Sequence, residues 1–143
     1  MQLKEIMTTD VEVVNPESSI TEAAKKMRSL DVGALPVCDG RRLLGMVTDR
    51  DITIRATAEA RDPDNTLVRD CMSPEIIYCF DDQSPEEAER LMQDKQIRRL
   101  PVLTREKQLA GIVALADLAT KTSNVQQVGR TIREVSEPAK KEA

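Results

Sequence analysis

Met7–Val37, MTTDVEVVNPESSITEAAKKMRSLDVGALPV, is in effect written twice in this 143-residue chain: laid over Met72–Val102, MSPEIIYCFDDQSPEEAERLMQDKQIRRLPV, it matches at a constant offset of 65. The identities are Met7/Met72, Ser19/Ser84, Glu22/Glu87, Ala23/Ala88, Met27/Met92, Leu35/Leu100, Pro36/Pro101 and Val37/Val102. One inserted residue then moves the offset to 66, and Leu43/Leu109, Gly45/Gly111, Val47/Val113 and Asp51/Asp117 continue the match. An internal duplication of this period means two copies of one supersecondary unit. The insertion falls between two predicted strands, where a hairpin loop absorbs a residue without disturbing either.

Periodicity assigns the elements within a copy. Val11–Val14 reads as a short strand ended by Asn15-Pro16,. Ser19 and Glu22 form a capping box, followed by Ile20, Ala23, Ala24, Met27 and Leu30 at helical spacing to about Asp31,. Ser84 and Glu87 repeat the box, with Pro85 at the first helical position,. Ala34–Cys38 is a strand, Asp39-Gly40 a turn and Leu43–Val47 the returning strand,. Pro36 lacks an N–H, which predicts an edge or strand-start position. A helix follows from Asp49 to about Ala60; the second copy predicts strands over 100–104 and 109–114 and a helix from Leu115 to about Thr122.

The fold class is therefore α/β, with tandem β-α-β-β-α repeats packed about a pseudo-two-fold axis and related clefts between the copies. The whole chain, 1–143, is read as one module: a first repeat over 3–60, a connector over 61–67, a second repeat over 68–122, and a C-terminal helix and charged tail over 123–143. In the last segment Val125, Val128, Ile132 and Val135 recur at helical intervals, predicting a helix packed on its own domain, and 137–143 reads as a frayed tail,.

The strand-to-helix turn Gly45–Ile52, GMVTDRDI, carries the candidate chemistry. Thr48 is an N-cap and Asp51 its acidic partner, at a place where free N–H groups and the helix dipole attract anions.

Composition removes several functions. The chain has no histidine, hence no common general base, no usual nucleophilic triad and few zinc options,. It contains none of the phosphate-binding or nucleophile-elbow glycine motifs of common enzymes,. No catalytic residue, no metal and no obligatory cofactor are expected, and the protein is not read as an enzyme. A net charge of −4, with Tyr78 and Phe80 the sole aromatics, argues against nucleic acid,. Cys38, Cys71 and Cys79 form no C-x-x-C pair, and Cys38 and Cys79 fall in apolar runs where inert buried thiols are usual,. Neither an export signal nor a stretch of about 20 apolar residues is found, so a cytoplasmic protein without membrane association is expected,.

The duplication, the strand signatures VGALPV and IRRLPV, and the turns GMVTDRDI and GIVALADL resemble a cystathionine-β-synthase-type (CBS) domain pair, or Bateman module, over roughly residues 3–122. The resemblance implies a regulatory sensor of an adenosine compound such as AMP, ADP, ATP, NAD or S-adenosylmethionine. By similarity Asp51 holds the ribose and Thr48 a phosphate, Gly33 and Ala34 line the adenine, Arg98 and Arg99 of the opposite repeat reach the phosphates, and the entry strand near Val11 meets the base. Asp117 is the counterpart in a second, poorer cleft, since Ala114 replaces the hydroxyl. Arg50 reads as a surface helix residue. The resemblance also implies a homodimer through Met- and Ala-rich helices and an unknown effector protein. The other reading is a ligand-free structural or dimerisation module, in which the same residues only cap helices.

Overall fold

The structure is a computed structural model that describes residues 1–122 and 124–138. It divides into two compact units: Glu12–Ile76, and Met1–Val11 together with the chain from Ile77 onward. Within the described part, the predicted tail beyond Glu137 is limited to Pro138; the rest of it lies outside the described residues.

In the first unit, α1 (Ile20–Leu30) begins where the Ser19 hydroxyl accepts from the Glu22 N–H at 3.2 Å. It ends at Asp31, whose left-handed φ of 55° lets its N–H return to the Arg28 carbonyl,. Ile20, Ala23 and Met27 on one face join the hairpin of β1 (Ala34–Asp39) and β2 (Arg42–Thr48) in the unit's core with Leu35, Val37 and Val47. The hairpin turns at Gly40, whose φ of +60° suits glycine,. The expected strand over 11–14 is reduced to one parallel bridge between Val14 and Val37.

Pro36 stands on an edge strand of the two-stranded β1–β2 sheet, as its missing N–H leads one to expect, though inside β1 rather than at its start,. It lies inside β1 with Met46 of β2 on one side and Val14 on the other. The position is tolerated because Met46 spends its N–H and C=O on Ser73, at 3.1 and 2.8 Å. The Pro36/Met46 pair therefore asks no donor of the proline, whose carbonyl accepts from the Val14 N–H at 3.0 Å,.

Helix α2 is regular only over Asp49–Ile52 and continues as a π-helical turn over Thr53–Thr57, with bonds such as Ala58 N–H to Thr53 C=O at 2.9 Å. Beyond the connector, a four-residue helix that periodicity did not signal, α3 (Val68–Cys71), buries Val68 and Cys71 completely. Ser73 then lines the outer edge of β2, so close that a Cβ on Gly45 would come within 2.4 Å of the Ser73 carbonyl oxygen.

The second unit repeats this plan. A short 3-10 turn (Leu3–Glu5) precedes Thr8, which bridges Ile112 as Ser73 bridges Met46. A Cβ on Gly111 would lie 2.6 Å from the Thr8 carbonyl oxygen. The sheet runs β3 (Cys79–Phe80), β4 (Arg99–Leu103), β5 (Leu109–Ala114), with β3 parallel and β5 antiparallel to β4. Helix α4 (Pro85–Lys95) has the full Ser84/Glu87 capping box with Pro85 in its first turn, and α5 covers Leu115–Lys121. Both units thus borrow: the segment that opens each sequence repeat closes the sheet edge of the unit built mainly from the other.

Helix α6 (Val125–Ser136), capped by Asn124, packs on α4 and α5 of its own unit as expected, but not through the expected face. Val128, Thr131 and Val135 are buried, whereas Val125 is 80% and Ile132 45% exposed. The inward stripe is rotated to include a threonine that a count of apolar residues passes over.

Candidate functional site

The end of β2 presents Thr48 and Asp51 to each other. The Thr48 hydroxyl oxygen accepts from the Asp51 N–H at 3.0 Å, and Asp51 Oδ2 accepts from the Thr48 N–H at 3.0 Å. The next two amides are also occupied: Asp49 N–H donates to the Gly33 carbonyl at 3.0 Å, and Arg50 N–H to Asp49 Oδ1 at 2.8 Å. The first backbone donors of this helix are therefore satisfied by the turn itself and by Gly33, and a bound anion would have to displace one of these acceptors,. Two functions stay without a partner among the described residues: the hydroxyl proton of Thr48 and Asp51 Oδ1. Both residues are half-buried. The turn thus offers one neutral donor and one anionic acceptor side by side.

Gly33 and Ala34 belong to the same cluster. Ala34 pairs with Thr48 across the hairpin, and a Cβ on Gly33 would sit 3.2 Å from Asp49 Oδ2.

The corresponding turn of the second unit shares the backbone and differs in its side chains. Leu115 N–H donates to the Arg98 carbonyl at 2.8 Å, matching Asp49 and Gly33, and Asp117 Oδ2 accepts from the Ala114 N–H at 2.8 Å. Ala114 has no hydroxyl to return the bond. Asp117 Oδ1 is taken as well, by Lys121 Nζ at 3.2 Å.

Lys121 and its repeat counterpart Arg55 are site residues that motif reading passed over, although the offset of 66 aligns them. Lys121 Nζ also donates to the Ile6 carbonyl at 3.1 Å. Arg55 Nη1 donates to the carbonyls of Cys71 and Met72, both at 2.9 Å. Each cation thus closes the end of its unit's short opening helix or turn. Only Lys121 does so while neutralising the neighbouring aspartate; among the described residues no Lys or Arg lies within 4.0 Å of the Asp51 carboxylate.

The structure brings Gly33, Ala34, Thr48 and Asp51 together in the first unit. The other expected site residues, Val11, Arg98, Arg99 and Asp117, belong to the second unit. Val11 is half-buried and outside any strand. Arg98 and Arg99 are exposed; the Arg98 guanidinium donates to the Ser136 hydroxyl at 3.2 Å, and Arg99 opens β4 opposite Ala114. Arg50 is exposed, as its surface reading requires.

A concavity of about 440 Å3 lies between α1 and α2, lined by Ile20, Ala24, Ile52 and Ala56 together with Lys25 and Arg28. The three cysteines are buried and free, and burial pushes the Cys38 and Cys79 thiols up to about 11. Among the described residues no group of three His, Cys, Asp or Glu side chains could hold a metal ion, and no helix is long and apolar enough to cross a membrane.

A family model described as CBS domain matches the chain twice, over residues 3–56 and 68–124. The CBS domain-containing protein YhcV of Bacillus subtilis (strain 168) is 42% identical over 134 residues, 94% of each chain. Hypoxic response protein 1 of Mycobacterium tuberculosis (strain ATCC 25618 / H37Rv) is 40% identical over 117 residues, 81% of each chain. A crystal structure of Hypoxic Response Protein I with two coordinated zinc ions superposes with a TM-score of 0.78 at 37% identity, covering 86% of this chain and 100% of that one. A hexameric CBS-CP12 protein from bloom-forming cyanobacteria superposes with a TM-score of 0.70 at 28% identity, over 88% of this chain and 73% of that one.

Proposed function

The chain belongs to the CBS domain family, and on that premise we propose that it is a sensor that binds an adenosine-containing ligand, of the AMP, ADP, ATP, NAD or S-adenosylmethionine type, at the Thr48–Asp51 turn. Proteins of this family built from CBS repeats alone are generally regulatory rather than catalytic. The observation that carries the ligand reading is the difference between the two aspartates: Asp51 Oδ1 has no cation, while Asp117 Oδ1 holds Lys121.

An ionised carboxylate with a spare oxygen accepts both hydroxyls of a ribose, and the adjacent Thr48 hydroxyl donates to a phosphate oxygen. Gly33 and Ala34 leave room for a flat base. The family resemblance offers Arg98 and Arg99 as candidates for the phosphates and the backbone near Val11 for the base. Asp117, already paired, contributes little.

The test is a set of thermal melts against adenine and guanine nucleotides. Ligand at 100 times its dissociation constant adds about 2.7 kcal/mol, or several degrees for a chain of this length. The adenosine compounds raise the melting temperature; if none does, the sensor reading fails.

A second reading, a ligand-free dimerisation module, draws on the occupied amides of the turn and on the groove between α1 and α2. Its apolar lining suits a homodimer contact, and the hexameric cyanobacterial neighbour supports assembly of CBS proteins. Dimerisation alone is compatible with the sensor, as a homodimer that presents it to an effector protein; the ligand-free reading is the alternative to it. Light scattering across a concentration series tests it, and a constant monomer mass would sink it.

A further inference from the structure

The seam between α4 and α6 carries polar pairs beside the buried apolar residues Ala88, Met92, Val128 and Val135. Gln93 Nε2 donates to the Thr131 hydroxyl at 2.8 Å, and Gln96 Nε2 donates to the carbonyls of Glu134 and Glu137 at 3.3 and 3.0 Å. One turn before Gln93 stands Glu89, which the Gln127 amide approaches from α6. Positions 89, 93 and 96 are thus met in order by 127, 131 and 134, as two helical stripes in register. The first rung is defective. Glu89 is 2% exposed, and its Oε2 has no hydrogen-bond partner among the described residues. At the corresponding positions of the first repeat stand Ala24, Arg28 and Asp31, which form no such stripe.

A carboxylate buried with an idle oxygen is costly, and a protonated carboxyl in the same place is not. We propose that α6 is a proton-operated latch, closed on α4 when the Glu89 carboxyl carries a proton and loosened when it ionises.

The surroundings favour the neutral form. On α4 the nearest acting charge is Glu86, a like charge; burial and this neighbour push the Glu89 carboxyl up, and the Gln127 amide opposes them in part. From α6, Arg130 and Arg133 are exposed, Arg133 approaches Glu137 instead, and Glu134 is half-buried. From α5, Asp117 and Lys121 pair with each other. The charged residue of β4, Arg99, is exposed. No cation on the packed elements pairs with Glu89 within 4.0 Å among the described residues.

The sign follows from linkage. The closed state holds the proton to higher pH than the open one, so closure is strongest in acid and weakens as pH rises between the two titration points, by at most tenfold per pH unit. Every group in the latch lies on the α4–α6 seam and none is a proposed ligand contact, although α6 ends at Ser136, whose hydroxyl accepts from Arg98 at 3.2 Å.

Amide hydrogen exchange, corrected for the intrinsic pH dependence, measures it on the intact chain from about pH 4 to 8. Protection of 125–136, relative to β4, falls with pH in the natural protein. Glu89→Gln gives protection that is flat with pH and higher at the alkaline end. Glu89→Ala, which removes the charge with less shape, is also flat. A flat profile in the natural protein, or an unchanged slope in either variant, overturns the latch.

Discussion

Lys121 Nζ stands 3.2 Å from Asp117 Oδ1, one helical turn along α5, and the same ammonium reaches the Ile6 carbonyl. Its counterpart in the first repeat, Arg55, keeps the carbonyl contacts and leaves Asp51 alone. Two copies of one turn therefore hold one spent aspartate and one open aspartate.

Asp51→Ala is expected to remove the preference for ligands that carry both ribose hydroxyls, whereas Asp117→Ala leaves adenosine binding unchanged. Melting shifts with adenosine and with 2′,3′-dideoxyadenosine read the difference. Equal losses from both substitutions would refute the ranking of the two turns.

Arg98→Ala and Arg99→Ala are expected to weaken phosphorylated ligands more than adenosine, because each removes one guanidinium available to phosphate. Titrations with AMP and adenosine separate the two effects. Equal weakening of both ligands would remove these arginines from a phosphate role.

Ala114→Thr supplies the missing hydroxyl of the second cap. It is expected to stabilise the fold by about 1 kcal/mol in urea denaturation, and Thr48→Ala to cost about the same. No change in either would mean that these hydroxyls do not bear on the helix starts.

Gly45→Ala and Gly111→Ala drive a methyl group against the carbonyls of Ser73 and Thr8. Each should cost about 1–3 kcal/mol, the usual penalty of overpacking. Neutral behaviour would show that the edge bridges give way freely.

The Cys38 and Cys79 thiols titrate near 11 when folded, against 9.0 for an unhindered thiol. The unfolded chain loses these protons first, so stability is unaffected below about pH 9 and falls from there toward 11. Chemical denaturation at pH 8 and 10 should show the decline, and Cys38→Ala with Cys79→Ala should flatten it.

Much of this architecture is legible in the residues, because duplicated caps and strands state each element twice. Ser19 and Ser84 start α1 and α4 as expected. Helix α3 was not legible: four residues are too few to carry a helical period, and its stability comes from burial of Val68 and Cys71,. Nor was the inward face of α6, since Thr131 earns its buried place through a hydrogen bond to Gln93. At the site, sequence named the aspartates but not what occupies them. The distinction rests on where Lys121 and Arg55 direct their charge, a tertiary fact that spacing along the chain does not encode.

The most direct test of the central claim is isothermal titration of the natural protein and of Asp51→Ala with AMP, ADP, ATP, NAD and S-adenosylmethionine. At least one adenosine compound should bind the natural protein saturably, with binding reduced tenfold or more in Asp51→Ala, about the loss of one charge-assisted hydrogen bond. Absence of binding by every compound, or undiminished binding to Asp51→Ala, would contradict it.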